Sequence, residues 1–207
     1  AEILEAGGNA VDAAVAAAFT LGASDPSESG LGGESWILVQ LAGRPPVAIV
    51  CPSAVPLRVD REALRRARAA GVLTGHATAA VPTTVASLAR ALSRFGTLRF
   101  AEVLAPAIAE AERGWELGWT EASVVKANAW RLSLSPLLAG VLLPGPCGPN
   151  GYASSAPVGS RLRLPALAGT LRRLAEAGPD DFYLGALAGE IDADMRAHGG
   201  FVRKEDL

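Results

Sequence analysis

The chain has 207 residues, half of them hydrophobic and only 5% aromatic, with a formal net charge of −2. That length allows one domain with a real core, and the near-neutral charge argues against a nucleic-acid-binding protein. Short arginine-rich runs at residues 65–68 and 172–173 lie on helical patterns and are most simply solvated helix faces. The composition, rich in alanine and leucine, favours a mixed domain of closely packed helices and sheet.

The first long predicted element is an apolar helix. Apolar and alanine residues run on from Asn9, interrupted only by Asp12, so Asn9 is predicted as the N-cap and Gly22 as the stop. A transmembrane helix needs about 20 apolar residues, whereas this run is shorter and carries Asp12 near its start. The sequence therefore predicts a buried core helix and no membrane span in this segment.

A glycine cluster at residues 30–33 separates this helix from a predicted β-hairpin. Its strands are the apolar runs 35–41 and 47–51, joined by an irregular loop. The glycines let a ligand or another stretch of backbone approach closely, but they lack the strand-then-helix order of a phosphate loop. Pro52 and Pro56 follow the second strand, and prolines so closely spaced end a sheet.

The remaining elements are predicted mainly as helices. The first is capped by Asp60, and the second opens at Val81-Pro82 and closes at Gly96. Four later helices are predicted, over residues 100–113, 120–132, 165–177 and 184–198. The earliest of these four contains a proline, which predicts a kink or two short pieces. Residues 133–163 are predicted as a surface excursion made of turns.

Four blocks of the sequence carry a family resemblance: GGNAVDAAVAAAF (7–19), SGLGG (29–33), FGTL with AEVLAPAIAEAERGW (95–115), and residues 165–207. In this order they resemble the gamma-glutamyltransferases, N-terminal-nucleophile hydrolases made as precursors that cut themselves into a large and a small subunit. The resemblance implies an α/β (α+β) fold, an αββα sandwich with helices packed on both faces of a sheet. It also implies that residues 1–207 form one segment of a large subunit, incomplete at both ends relative to the family.

The resemblance places the nucleophile outside this chain. In the family it is the threonine or serine at the new N-terminus of the small subunit, whose α-amine serves as the base. We therefore expect no catalytic residue here and a small-subunit partner that carries the threonine. Thr83-Thr84 matches a large-subunit block and is not expected to be the nucleophile. The family usually has glycine where this chain has Thr83 and Ser87, so helix packing is expected to differ there.

Other candidate chemistry is sparse. Asp12, Glu28 and Glu34 offer carboxylates for acid–base work but are better explained as caps and surface charges. Cys51 and Cys147 show no metal-binding spacing and are too few for a disulfide scaffold.

The two histidines, His76 and His198, have no serine or cysteine in a strained elbow motif near them, and they leave little for a metal site. We therefore expect no metal ion and no cofactor. No targeting segment is visible, and the chain opens on the helix-like AEILEAGG, so its localisation stays unknown.

The most informative departure from the family follows the second strand. Family transferases have a motif resembling R-E-x-A-P there, and its arginine holds the substrate's α-carboxylate through a bidentate contact. The closing proline corresponds to Pro56, which puts Pro52 and Ser53 at the substrate-binding positions of the arginine and its glutamate neighbour. Arg58 and Arg61 lie nearby in sequence, but they are predicted at the exposed start of the next helix. Recognition of a gamma-glutamyl head group is therefore not expected.

Three functions stay open. The first is the large-subunit part of a gamma-glutamyltransferase-like amidohydrolase, which hydrolyses a small-molecule amide or gamma-glutamyl bond or transfers its acyl group. The second is an acylase or small-amide hydrolase of the same family, akin to cephalosporin acylases or oxamate amidohydrolases, in which the carboxylate-binding arginine is not needed. The third is a non-catalytic scaffold subunit that has lost the site. The sequence does not decide the acyl donor, the acceptor, or whether water or an amine completes the reaction.

Overall fold

The computed structural model describes residues 1–71, 73–149 and 151–207 as a mixed fold of helices and two small antiparallel sheets. In chain order the elements are α1 (Glu2–Glu5), α2 (Ala10–Ser24), β1 (Ser35–Val39), β2 (Val47–Cys51), α3 (Arg61–Ala69), α4 (Thr84–Phe95), α5 (Phe100–Arg113), β3 (Trp115–Glu116), α6 (Trp119–Ala127), α7 (Ala129–Leu132), α8 (Pro136–Leu142), β4 (Arg161–Leu162), α9 (Pro165–Ala177) and α10 (Ala186–Ala197). Within these described ranges, no helix has both the length and the apolar character needed to span a bilayer.

Helix α2 begins as predicted and ends later. The Asn9 side chain accepts hydrogen bonds from the N–H groups of Val11 (2.8 Å) and Asp12 (3.1 Å), and the Asp12 carboxylate accepts one from the N–H of Asn9 (2.7 Å). This reciprocal pair is a capping box. The prediction that Gly22 stops the helix is wrong. Gly22 lies inside the helix, which continues to Ser24 with Asp25 as its C-cap, and a Cβ at Gly22 would make an ordinary contact at 3.4 Å with the Cα of Gly30.

The main core is a layer of three helices. Helix α5 lies between α2 and α9, and Phe19 of α2 packs edge-on against Phe100 of α5, with ring centroids 5.7 Å apart. The fully buried large residues of this cluster are Phe19, Val85, Val103, Leu104, Leu171 and Leu174. Helix α5 is continuous through Pro106, so of the two predicted alternatives the division into two short pieces is wrong, and the kink stays a prediction. Burial of the face formed by Val103, Leu104, Ala107 and Ala111 outweighs the one helical hydrogen bond that the proline removes.

Strands β1 and β2 form the predicted hairpin. They pair antiparallel with Ile37 opposite Ile49, and β1 ends at Val39 rather than at residue 41 because its partner strand begins opposite Val39. Ile49 and Val39 face the helices and are buried. The opposite face carries Trp36, Leu38 and Val50, which are 66%, 72% and 50% exposed. The described residues thus supply one hairpin of a sheet, and the outer face of this hairpin is uncovered and apolar.

A second, smaller core forms around the β3–β4 pair. Its buried residues come from β3, α6, α7, the end of α8, β4 and the loops beside them, and they include Trp115, Leu117, Val125, Leu142 and Leu162. Residues 133–163 therefore hold more than the predicted turns, since α8 and β4 both contribute to this core. The turn prediction at Asn150 lies outside the described residues.

The single helix predicted over 120–132 is broken at Asn128. The Asn128 side chain donates a 2.9 Å hydrogen bond to the carbonyl of Val124. The backbone N–H of Asn128 donates to the same carbonyl (3.1 Å), and the backbone angles of Asn128, φ −107° and ψ 13°, depart from the helical region and separate α6 from α7.

Candidate functional site

Three segments that are distant in sequence meet where β2 ends. They are residues 33–34 at the end of the glycine cluster, residues 51–54 at the end of β2, and residues 81–84 at the start of α4; we call them the strand-end cluster. The N–H of Val81 donates to the carbonyl of Ala54 (2.8 Å), and the N–H of Thr83 donates to the carbonyl of Gly33 (2.8 Å). Backbone hydrogen bonds therefore hold the three segments in register with one another.

The two predicted substrate-binding positions lie in this cluster. Pro52 is exposed, and Ser53 is half-buried. The N–H of Ser53 donates a 2.6 Å hydrogen bond to Oε2 of Glu34, whose side chain is exposed. The end of β2 thus lies beside the carboxylate of Glu34, and the backbone donor of Ser53 is already bound to that carboxylate.

The neighbouring arginines are held elsewhere. The guanidinium of Arg58 forms a 2.8 Å ion pair with Glu205, and the N–H of Leu57 donates to Oδ1 of Asp206 (2.9 Å). These contacts join the loop after β2 to the short 3₁₀ turn Lys204–Asp206. Arg61 is the first residue of α3 and is exposed, as the sequence pattern predicts.

The two threonines at the start of α4 differ in their contacts. The hydroxyl of Thr83 donates a 2.5 Å hydrogen bond to the carbonyl of Cys51. The hydroxyl oxygen of Thr84 is buried and finds no hydrogen-bond partner in the part of the chain that the structure describes. Ser87 is fully buried, and its hydroxyl contacts that of Ser35 and donates to the carbonyl of Thr84 (2.9 Å). Thr83 and Ser87 therefore link the start of α4 to the hairpin.

Asp12 is a structural carboxylate. It is fully buried and accepts hydrogen bonds from the N–H of Asn9, the N–H and hydroxyl of Thr97, and the N–H of Leu98. Burial raises the pKa of Asp12, but the hydrogen bonds from Asn9, Thr97 and Leu98 outweigh it and hold the pKa below its ordinary value. The residue joins the start of α2 to the loop between α4 and α5. Glu28, by contrast, is exposed in the turn after α2.

The structure brings both histidines to one carboxylate. Nε2 of His76 lies 2.9 Å from Oδ2 of Asp194, and Nδ1 of His198 lies 3.0 Å from Oδ1 of the same residue. The two imidazole rings stack with centroids 4.6 Å apart. Sequence reasoning missed this cluster because 118 residues separate His76 from Asp194. The only local signal was the i, i+4 spacing of Asp194 and His198 at the end of a predicted helix.

Comparison with known proteins places the chain in a family. Residues 1–207 match the family model described as gamma-glutamyltranspeptidase. The chain is 36% identical over 219 residues to the acylase ACY 1 proenzyme of Pseudomonas sp. strain SE83, and 34% identical over 210 residues to a glutathione hydrolase proenzyme of Pseudomonas aeruginosa. Both alignments cover the whole chain but only 38% and 36% of those proteins, so the chain spans little more than a third of their length.

Solved structures agree with this placement. A gamma-glutamyltranspeptidase from Helicobacter pylori superposes with a TM-score of 0.83 at 28% identity, covering 99% of this chain and 58% of that one. A cephalosporin acylase from Bacillus halodurans gives 0.82 at 31% identity, covering 99% and 38%. The predicted mixed helix-and-sheet fold class is thereby confirmed. The chain belongs to the gamma-glutamyltranspeptidase family.

Proposed function

We propose that this chain is the large-subunit part of an amide hydrolase or acyltransferase whose acyl donor has no free α-amino-acid head group. Family membership supports the amidase chemistry. Relatives named as acylases and as glutathione hydrolases align with the chain at 36% and 34% identity, so membership alone does not choose between their substrates. The observation that favours a donor without this head group is the contact between Glu34 and the N–H of Ser53 at the strand-end cluster.

The energetic argument concerns the substrate carboxylate. A bidentate arginine–carboxylate contact in a closed site contributes about 1.5–3 kcal/mol, or about tenfold to over a hundredfold in affinity. Pro52 offers neither a charge nor an N–H group. The N–H of Ser53 is already donated to Glu34, and a substrate carboxylate placed beside Glu34 would meet a like charge.

An uncharged acyl group suits this environment better. The hydroxyl of Ser53 supplies one neutral donor and acceptor, enough to orient a polar but uncharged group. We do not assign the role of the missing arginine to Arg58, because its guanidinium pairs with Glu205 at the surface. The second function left open by the sequence, an acylase or small-amide hydrolase of the family, is therefore the one we favour for the substrate.

A small-subunit partner is part of this proposal. The outer face of the β1–β2 hairpin exposes Trp36, Leu38 and Val50 side by side, and an apolar patch of that kind marks a surface that another part of a protein covers. We assign its covering to the small subunit, which also supplies the N-terminal threonine and its α-amine. Two of the relatives are named proenzymes, which supports a precursor cut into two subunits.

The test uses the full-length protein and four p-nitroanilides with acyl chains of similar length. The gamma-glutamyl substrate carries both the α-carboxylate and the α-amine, glutaryl lacks the amine, 4-aminobutyryl lacks the carboxylate, and butyryl lacks both. We expect the two substrates without a carboxylate to have the higher kcat/KM. Higher values for gamma-glutamyl and glutaryl would contradict the proposal, and no turnover of any of the four would favour the non-catalytic scaffold.

A further inference from the structure

We propose that His76, Asp194 and His198 form a binding site for a divalent transition-metal ion of the Zn²⁺ class, separate from the proposed amidase chemistry. His76 begins the short 3₁₀ turn His76–Thr78. Asp194 lies in the last turn of α10, and His198 is the C-cap of the same helix. One helix end and one distant turn thus contribute two imidazoles and one carboxylate, a donor set that Zn²⁺ binds in proteins.

The donor atoms already have the spacing of ligands to one ion. Metal–ligand bonds of about 2.0–2.2 Å at tetrahedral or right angles put neighbouring ligand atoms about 2.9–3.4 Å apart. Nε2 of His76 lies 2.9 Å from Oδ2 of Asp194, and Nδ1 of His198 lies 3.0 Å from Oδ1, so each imidazole approaches a different carboxylate oxygen. One ligand atom from each of the three residues can be chosen so that all three lie within 4.8 Å of one another. Nδ1 of His198 also lies 2.9 Å from the carbonyl oxygen of Asp194 and the two rings are stacked, so binding an ion requires the imidazoles to rotate until their nitrogens converge on it.

Close packing holds the turn that carries His76 against the end of α10. Gly200 follows the helix and is buried, and its N–H donates a 2.7 Å hydrogen bond to the carbonyl of Met195. A Cβ on Gly200 would lie 3.1 Å from both the Cβ and the carbonyl oxygen of His76 and would overlap the sulfur of Met195. Any side chain at residue 200 would push the His76 turn away. The position of His76 is thus set by a backbone contact rather than by a chance meeting of flexible side chains.

The site is open enough to exchange an ion with solvent. The side chains of His76, Asp194 and His198 are 34%, 56% and 56% exposed, and they line a cleft of about 610 Å³ whose other wall includes Ser135 and Pro136. Three protein ligands leave at least one coordination position for water. Mg²⁺ and Ca²⁺ prefer all-oxygen ligand sets, so the two imidazoles select against them.

The experiment is a Zn²⁺ titration by calorimetry of the full-length protein, made without a polyhistidine tag and stripped with a chelator. Cys51→Ser Cys147→Ser serves as the background, so that these two thiolates contribute no binding. We expect the parent protein to bind Zn²⁺ at this site. The double variant His76→Gln His198→Gln should bind one ion fewer per chain, or each single variant should bind Zn²⁺ about tenfold or more weakly. Mg²⁺ should give no binding that depends on these residues.

Glu190→Gln is the matched control for Asp194→Asn. Both changes remove one carboxylate from the same helix, one turn apart, but Glu190 pairs with Arg173 and lies outside the cluster. Asp194→Asn should weaken Zn²⁺ binding and Glu190→Gln should leave it unchanged.

His198 lies at an exposed helix end, so His198→Gln is a second test that does not depend on Asp194 packing. Co²⁺ absorption at this site provides an independent spectroscopic readout. The proposal is overturned if the double histidine variant binds Zn²⁺ with the same stoichiometry and affinity as its parent.

Discussion

The backbone N–H of Ser53 and the carboxylate of Glu34 are joined by a 2.6 Å hydrogen bond at the end of strand β2. The family resemblance predicts that Pro52 and Ser53 stand at the positions of a carboxylate-binding arginine and its glutamate neighbour. Under the function proposed here, the Glu34 carboxylate would repel a substrate carboxylate and occupy the N–H that could bind it. The substrate preference of the complete protein should follow from that contact.

Removing the Glu34 charge should improve binding of substrates that carry a carboxylate. Glu34→Gln keeps an acceptor for the Ser53 N–H but removes about 1 kcal/mol of repulsion, so kcat/KM for gamma-glutamyl p-nitroanilide should rise about fivefold. The value for the butyryl substrate should not change. Glu28→Gln, which removes an exposed carboxylate from the preceding turn, is the control. An equal rise in both variants, or none for Glu34→Gln, would show that Glu34 does not face the acyl group.

The two adjacent threonines of α4 should respond in opposite ways to the same substitution. Thr83→Val removes the hydrogen bond to the Cys51 carbonyl and should destabilise the protein by about 1 kcal/mol. Thr84→Val replaces a buried hydroxyl that lacks a partner in the described chain, so its stability should be unchanged or higher.

The measurement for these two variants is urea unfolding of the full-length protein, with amide hydrolysis assayed alongside. Both variants should keep activity, because the nucleophile is assigned to the small subunit. A folded Thr84→Val protein without activity would contradict that assignment.

The contribution of Asp12 to stability should depend on pH. Its folded-state pKa is lowered, so the ionised form stabilises the folded protein above the unfolded-state pKa of about 3.9, and this stabilisation is lost as the pH falls through the folded-state value. At pH 7 Asp12→Asn should cost about 2–3 kcal/mol, because the amide is a weaker acceptor for the N–H and hydroxyl of Thr97.

Urea unfolding at a series of pH values tests this expectation. The difference between the parent protein and Asp12→Asn should shrink below about pH 4. Glu5→Gln, at an exposed position of α1, should show no such difference. A gap between the parent and Asp12→Asn that stays constant down to acid pH would mean that charge plays no part in the Asp12 contacts.

The outer face of the hairpin should bind a hydrophobic dye when residues 1–207 are produced alone. Trp36 and Leu38 project from this face and are 66% and 72% exposed, so Trp36→Lys Leu38→Lys should reduce dye fluorescence without disturbing the core. Trp119→Lys removes an equally exposed tryptophan from α6 and should reduce it much less. A monodisperse fragment that binds no dye and melts cooperatively would argue for a self-contained domain.

Local sequence patterns were sufficient to predict most elements of this fold. The cap at Asn9, the hairpin strands, α3, α4 and α9 follow from side-chain capping, strand alternation and helical periodicity, which act within a few residues. The family resemblance likewise rests on contiguous blocks. The predictions of helix boundaries that failed depended on backbone geometry that the local sequence pattern does not specify. Gly22 lies within a helix that continues to Ser24, and the helix predicted over 120–132 is interrupted at Asn128, whose backbone angles depart from the helical region.

The site was less accessible to sequence reasoning. The absence of the family arginine stays a prediction from the motif, whereas the meeting of Ser53 with Glu34 depends on how the glycine cluster crosses the end of β2. The cluster of His76 with Asp194 and His198 likewise depends on tertiary packing, since no spacing rule relates residues 118 positions apart. The proposed substrate preference and the proposed Zn²⁺ site both rest on long-range contacts of this kind.

The most direct test of the proposed substrate preference is the ratio of kcat/KM for butyryl and gamma-glutamyl p-nitroanilide in the full-length protein and in its Pro52→Arg Ser53→Glu variant. The parent protein should prefer butyryl, and restoring the family's two residues should shift the ratio toward gamma-glutamyl by about tenfold to over a hundredfold. Arg58→Gln, which breaks only the pair with Glu205, should leave the ratio unchanged. The account would be contradicted if the parent protein preferred the gamma-glutamyl substrate and the double substitution left the ratio unchanged. Loss of that preference in Arg58→Gln would then identify Arg58 as the carboxylate-binding residue.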